Sequence, residues 1–260
     1  YYKSCRKKSL KRKFKSSFWR LFCGKDRIKM EYLIIILICI IIAIVLKFVW
    51  QIKIKDLKKI KEIGYDKELN KITNKLPANK EICSKILEKL NNKEVIIKEE
   101  ENNTASLYIA ISNTIIIANI KDTFTRVQTI AHECLHSIQN KTTLLFNFIF
   151  SNILLIYFLV ICILGIINKL NTPMLHLFIL TIMSFVYYAI RSYLEIDAMT
   201  KATFVAKEYM EENKNFTADE INIITDNNKV ITELGIKLTL YKLLVSCLIK
   251  IVIFSLINIM

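Results

Sequence analysis

Two rhythms of hydrophobic and polar positions run along these 260 residues. Residues 33–49, 144–167, 174–190 and 237–259 are almost continuously apolar, and each approaches the ~20 residues a helix needs to cross a bilayer. Between these runs the pattern is shorter and mixed. Within 51–76, Ile52, Leu57, Ile60, Ile63, Leu69 and Ile72 give an imperfect helical stripe among lysines, with Gly64 as the expected break. Such a segment either lies on lipid headgroups or forms a solvated connector. Beyond Pro77, Ile82, Ile86 and Leu90 share one face of a helix expected over 79–90. Residues 95–98, 107–112 and 114–118 are β-branched runs separated by Asn102-Asn103 and Asn113, and read as short strands. Val127, Ile130, Ala131, Cys134, Leu135 and Ile138 then return to helical spacing, with Asp122 or Thr123 available as a cap. Residues 191–202 are expected to be helical. The remainder up to 235, with Asn213, Asn215, Asp226, Asn227 and Asn228, is expected to be loop and short helix.

Composition agrees with the apolar runs: mean hydropathy is +0.35, with only four glycines and two prolines. The net charge of +15 is mostly local, because the first 29 residues carry twelve Lys/Arg against Asp26 alone. This basic tail abuts the first apolar run. Its expected role is to hold that end on the cytoplasmic side against anionic lipid, and no nucleic-acid partner is expected. The run at 33–49 reads as a retained anchor, without a small-residue cleavage site behind it. The chain opens on Tyr1, so a preceding segment is expected. None of the seven cysteines forms a C-x-x-C pair. Cys39, Cys162 and Cys247 fall in apolar runs, Cys5 and Cys23 in the tail, and Cys83 offers a labelling handle for topology. Lys242 and Lys250 interrupt the last run; Lys242 can snorkel, whereas Lys250 requires a partner.

The chemistry concentrates in residues 129–139, where His132, Glu133 and His136 spell H-E-x-x-H. Positions i and i+4 of a helix lie one turn apart on one face, so the two imidazoles can grip one Zn²⁺. Glu133 projects about 100° round the helix from His132, towards a water beside the metal rather than the metal itself. With three histidines in the chain, chance would produce this spelling roughly 0.002 times. Cys134, about 200° from His132, belongs to the core face.

A catalytic zinc needs a third protein ligand on the same side of the membrane. Two apolar runs, joined by a tight loop at 169–173, separate the motif from Glu195, so two crossings bring Glu195 back to the side of His132 and His136. Asp197 is a candidate for orienting a ligand histidine from behind, and equally a surface carboxylate. Arg191 and Tyr193 are the nearest candidates for stabilising an oxyanion. His176, isolated at the start of an apolar run, reads as a packing or interfacial residue.

With these residues placed, the chain resembles the YugP-like membrane zinc metallopeptidases of bacteria. The likeness rests on A-H-E-x-x-H-x-I-Q at 131–139, on an E-x-[DN]-A-S-x-R-A-like run at 195–202, and on the order of the helix at 81–87, the strands and the spans. It covers about residues 31–260. The resemblance implies zinc held by His132, His136 and Glu195, with Glu133 as catalytic base. The chain departs at Leu135, where the family usually has Gly, at Met199 and Lys201 in the later motif, and in the acidic loop, which is reduced to residues 99–104.

The expected fold is a mainly α multi-pass membrane protein, with about four transmembrane helices and a small α+β zincin-like metallopeptidase core. Its expected parts are a basic cytoplasmic tail (1–30), an anchor (31–50), an α+β half carrying the H-E-x-x-H helix (51–142), a transmembrane hairpin (143–190), a third-ligand segment (191–236) and a last transmembrane helix (237–260). The expected activity is zinc-dependent hydrolysis of a peptide or membrane-protein substrate at a cell membrane, with the N-terminus cytoplasmic and the zinc on the opposite face. The alternatives are a membrane quality-control or prenyl-protein-type protease with the same ligands, and a non-catalytic metal-binding scaffold. Oligomeric state is left open.

Overall fold

The computed structural model describes residues 25–64, 66–100, 102–103, 105–121 and 123–260. Most of the tail, with Cys5 and Cys23, lies outside them, as does Asp122. The elements in order are α1 (Lys25–Val49), α2 (Ile54–Gly64), α3 (Lys67–Thr73), α4 (Asn79–Lys89), β1 (Ile96–Glu100), β2 (Leu107–Ile109), β3 (Thr114–Ala118), α5 (Arg126–Ile138), α6 (Lys141–Ile166), α7 (Pro173–Glu212) and α8 (Ala218–Ile259).

Among the described residues, four helices are long and apolar enough to cross a bilayer, as in a multi-pass membrane protein: α1 from Lys29, α6, α7 and α8. The 40 residues of α7 and 42 of α8 make rods about 60 Å long, twice the ~30 Å of a hydrocarbon core. Polar residues follow the apolar half of α7 and precede that of α8. The chain divides into two compact units. The first comprises the described residues 25–46, 154–184 and 245–260. In it Leu154, Ile161, Leu180, Ile251 and Phe254 are buried, while Leu33, Ile34, Leu37, Ile156 and Phe178 are about half-exposed, as lipid-facing side chains are. His176 contacts the Tyr157 hydroxyl through Nδ1 at 3.0 Å, which makes it a packing residue. Lys250 donates to the Oγ and carbonyl of Ser246, one turn back on its own helix.

The second unit, Lys47–Ile153 with Phe185–Leu244, holds the sheet and the H-E-x-x-H helix. Gly64 ends α2, and Asp66 caps α3 by accepting from the amides of Glu68 and Leu69. The sheet order is β1-β3-β2: β1 runs parallel to β3, and β2 pairs antiparallel with it in a tight hairpin. Asn113 turns that hairpin at φ 47°, a conformation Asn tolerates. The central strand β3 buries Ile115 and Ile117 against α4 and α5. Ile82, Cys83 and Ile86 of α4 pack with Val127, Ile130 and Cys134 of α5, and Ala198, Ala202 and Ala206 line one face of α7 in the same core. Small residues at that four-residue spacing let neighbouring elements approach α7 closely.

The structure changes three expectations. Residues 218–228 are helical, the opening turns of α8. Ile221 and Ile224 enter the core and Asn228 is buried, so tertiary packing overrides the local preference of Asn for loops. Thr123 does not cap α5 with its side chain; its hydroxyl donates to the Ile120 carbonyl, and Thr125 occupies the cap position without a side-chain bond. Cys83 is fully buried with its sulfur 3.6 Å from that of Cys134, so no labelling reagent reaches it in the folded protein.

Since Ile130 is fully buried between these elements, Ile130→Ala is expected to destabilise this unit by about 2–4 kcal/mol. Thermal unfolding in detergent checks this against Ile138→Ala, at a position 45% exposed, which should leave the midpoint almost unchanged.

Candidate metal centre

Helix α5 is amphipathic. Its apolar side is in the core, and its other side turns His132 and His136 towards Glu195 of α7. One ligand atom from each of the three residues lies within 4.8 Å of the others. The two Nε2 atoms are 3.1 Å apart, and the Glu195 oxygens lie 3.6 Å from His132 Nε2 and 3.8 Å from His136 Nε2. A tetrahedral ion with bonds of about 2.0–2.1 Å holds its donor atoms about 3.3 Å apart, so the set is close to closing round an ion. The side chains are only 20%, 8% and 12% exposed for His132, His136 and Glu195.

The hydrogen bonds behind the site decide which imidazole nitrogen is free. Gln139 Nε2 donates to the Leu194 carbonyl at 2.9 Å and to Asp197 Oδ2 at 3.0 Å. Both partners are acceptors, so the amide nitrogen must face them, and Oε1 is left facing His136 Nδ1 at 2.8 Å. Oε1 can only accept, so Nδ1 carries the proton and Nε2 presents its lone pair beside His132. Asp197 thus acts on His136 through Gln139, and it also pairs with Lys201 at 2.6 Å.

Burial sets the protonation states. His132 is pushed down to about 3, first by loss of water and then by the charges of His136 and Arg191. His136 is also lowered by burial, against the opposing pull of Gln139 and Glu195. Glu133 is pushed up to about 7 by burial and by Glu195, while the Tyr108 backbone amide, which bonds its carboxylate, pulls the other way. Two neutral imidazoles and the acidic side chain of Glu195 form a donor set suited to a divalent metal, beside the Glu133 carboxyl that titrates near neutrality.

A cavity of about 510 Å³ opens on these groups. Residues 106–111 form one wall, His132, Glu133 and His136 another, and parts of α6 and α7 the rest. Tyr187, Arg191 and Glu195 line it from α7 at four-residue spacing. Arg191 pairs with Glu195 Oε1 at 2.5 Å. Tyr193 is 67% exposed and does not line the cavity; it lies about 200° round α7 from both Arg191 and Glu195. Tyr193, a candidate for stabilising an oxyanion, is therefore away from the site, and Tyr187 is the α7 tyrosine that lines it. The signal for Tyr187 in the sequence was the eight-residue spacing from Glu195. Gln139 was visible only as a neighbour of the histidines.

Gln139→Leu is expected to weaken metal binding about 10- to 100-fold without unfolding the protein, because it releases the His136 tautomer. Competition with a metal chelator measures this. Both histidine pKa values are lowered, so protons are weak competitors for the metal. Affinity should therefore fall less than about tenfold between about pH 7.5 and about pH 5.5, where two ordinary imidazoles would lose about 100-fold. Comparison with models of known protein families, with curated proteins and with solved structures gave no match in any of the three.

Proposed function

We propose that this chain is a membrane-bound, zinc-dependent peptidase with a zincin-like core, related to the YugP-like metallopeptidases. His132, His136 and Glu195 would hold the zinc, and Glu133 is the general base. One observation carries the reading: two Nε2 atoms and a carboxylate converge while the adjacent, buried Glu133 lines the same cavity. A structural metal site would fill its fourth position with protein and needs no such carboxyl.

Zinc bound there supplies Lewis acidity, polarising a scissile carbonyl and easing ionisation of water. Glu133, titrating near pH 7, takes the proton of the attacking water and returns it to the leaving amine. Arg191 brings positive charge to the wall where negative charge grows on the carbonyl oxygen. The outer strand β2 offers its free backbone edge to the cavity. The N–H and C=O of one strand residue point to the same side. Tyr108, whose N–H bonds Glu133, therefore turns its carbonyl towards an extended substrate as well, in the manner of strand addition. Such contacts suit a peptide or an unstructured segment of a membrane protein. The basic tail favours a cytoplasmic N-terminus at the cell membrane and a catalytic unit on the opposite face.

Glu133→Gln is expected to retain zinc and fold while cutting peptide hydrolysis about 10²–10⁴-fold. His136→Ala and Glu195→Ala should instead lose metal, read by elemental analysis of the purified chain. A Glu133→Gln protein that hydrolyses at the wild-type rate would leave only the non-catalytic scaffold. For orientation, Lys85→Cys with Cys5 and Cys23 changed to Ser places one thiol at an exposed site of α4; the Lys85 side chain is 56% exposed. Labelling by an impermeant maleimide on intact cells is the expected result. Labelling only after permeabilisation reverses the orientation.

A further inference from the structure

The α6 wall of the cavity presents Leu144, Asn147, Phe148 and Ser151, one helical face at i, i+3, i+4 and i+7. Asn147 stands apart from its polar neighbours. Ser151 Oγ and Asn152 Nδ2 both donate to the Phe148 carbonyl at 2.8 and 2.7 Å, the usual way a polar side chain on an apolar helix satisfies itself. Asn147 is 9% exposed, and its Oδ1 is fully buried without a hydrogen-bond partner. It lines the cavity that holds His132, Glu133 and Glu195. A buried amide oxygen without a donor costs free energy unless something supplies one. No backbone carbonyl of α6 can supply that donor, because a carbonyl only accepts.

We propose that Asn147 binds the main chain of the substrate. A half-turn of the terminal carboxamide exchanges its two ends and brings Oδ1 from its closed position to the cavity, where the group can accept from a substrate N–H and donate to a C=O as a peptide group does. Asn147 thereby reads an extended polypeptide backbone regardless of its side chains, from a wall other than that of β2. The inference rests on the peptidase reading above and adds the group through which α6 selects for peptide.

The test is binding, with zinc-loaded full-length chain in detergent. The probes are acetohydroxamate, an oligoalanine hydroxamate, and the same oligoalanine N-methylated at each amide in turn. Asn147→Leu, close in size and apolar, is expected to weaken the peptide hydroxamate about 10- to 100-fold and to leave acetohydroxamate unchanged. One N-methylated peptide should bind wild type and variant alike, because the bond that Asn147 makes is already gone from it. Asn147→Asp, which keeps the acceptor, should retain part of the affinity. An equal loss for acetohydroxamate, an equal loss across all N-methylated peptides, or no loss at all overturns the proposal. A wild type that binds acetohydroxamate but no peptide overturns the peptidase reading and this inference together. A wild type and variant that bind the peptide equally overturn this inference alone.

Discussion

The candidate metal centre depends on one amide. Gln139 sits just past the last turn of α5, yet it ties that helix to α7 through the Leu194 carbonyl and Asp197 while holding His136 by Nδ1. Its three bonds are directional and fully determined, because each partner accepts only one end of the amide. The tautomer of His136, the direction of its Nε2 and the separation of α5 from Glu195 are thereby set together. H-E-x-x-H places two ligands by helix geometry alone; the third comes 59 positions after His136 in the chain, and Gln139 is what fixes the distance to it.

Around this amide the core works in opposite senses on neighbouring groups. Ile130, Ala131, Cys134 and Leu135 carry the apolar side of α5 into the core, and the same lack of water depresses both imidazoles and raises Glu133. Desolvation always disfavours the charged form. A neutral imidazole can ligate a metal and a carboxyl near pH 7 can exchange protons, so one cause sets both protonation states. The thiol of Cys134 lies on the core side of α5, 3.6 Å from that of Cys83 on α4, and is turned away from the candidate metal set.

What the sequence made legible was local or periodic. The H-E-x-x-H spelling, the helix after Pro77, the three β-branched runs and the four apolar runs all follow from spacing within a few turns. Glu195 was reached by counting membrane crossings, and the structure brings it to the histidines. The failures share one cause: the deciding contacts are distant in sequence. Asn227 and Asn228 look like loop residues, but the buried Ile221 and Ile224 hold that stretch as helix. Tyr193 lay nearer Glu195 than Tyr187 did, yet four-residue spacing, rather than proximity, decides which aromatic shares its face. The role of Gln139 could not be read, since both acceptors that orient it come from α7.

The Arg191 guanidinium, 2.5 Å from the Glu195 carboxylate, could withdraw it from a metal. The geometry divides the carboxylate instead. Oε1 faces Arg191 and also lies 3.8 Å from His136 Nε2, while Oε2 is the oxygen nearer His132, at 3.6 Å. A carboxylate has lone pairs on both oxygens, so one can be held while the other remains free to coordinate. Arg191 then fixes Glu195 from one turn away on its own helix, much as Gln139 fixes His136 across two helices. His136 and Glu195 are each restrained by a neighbour outside the candidate metal set, so their donor atoms need little reorganisation to bind a metal.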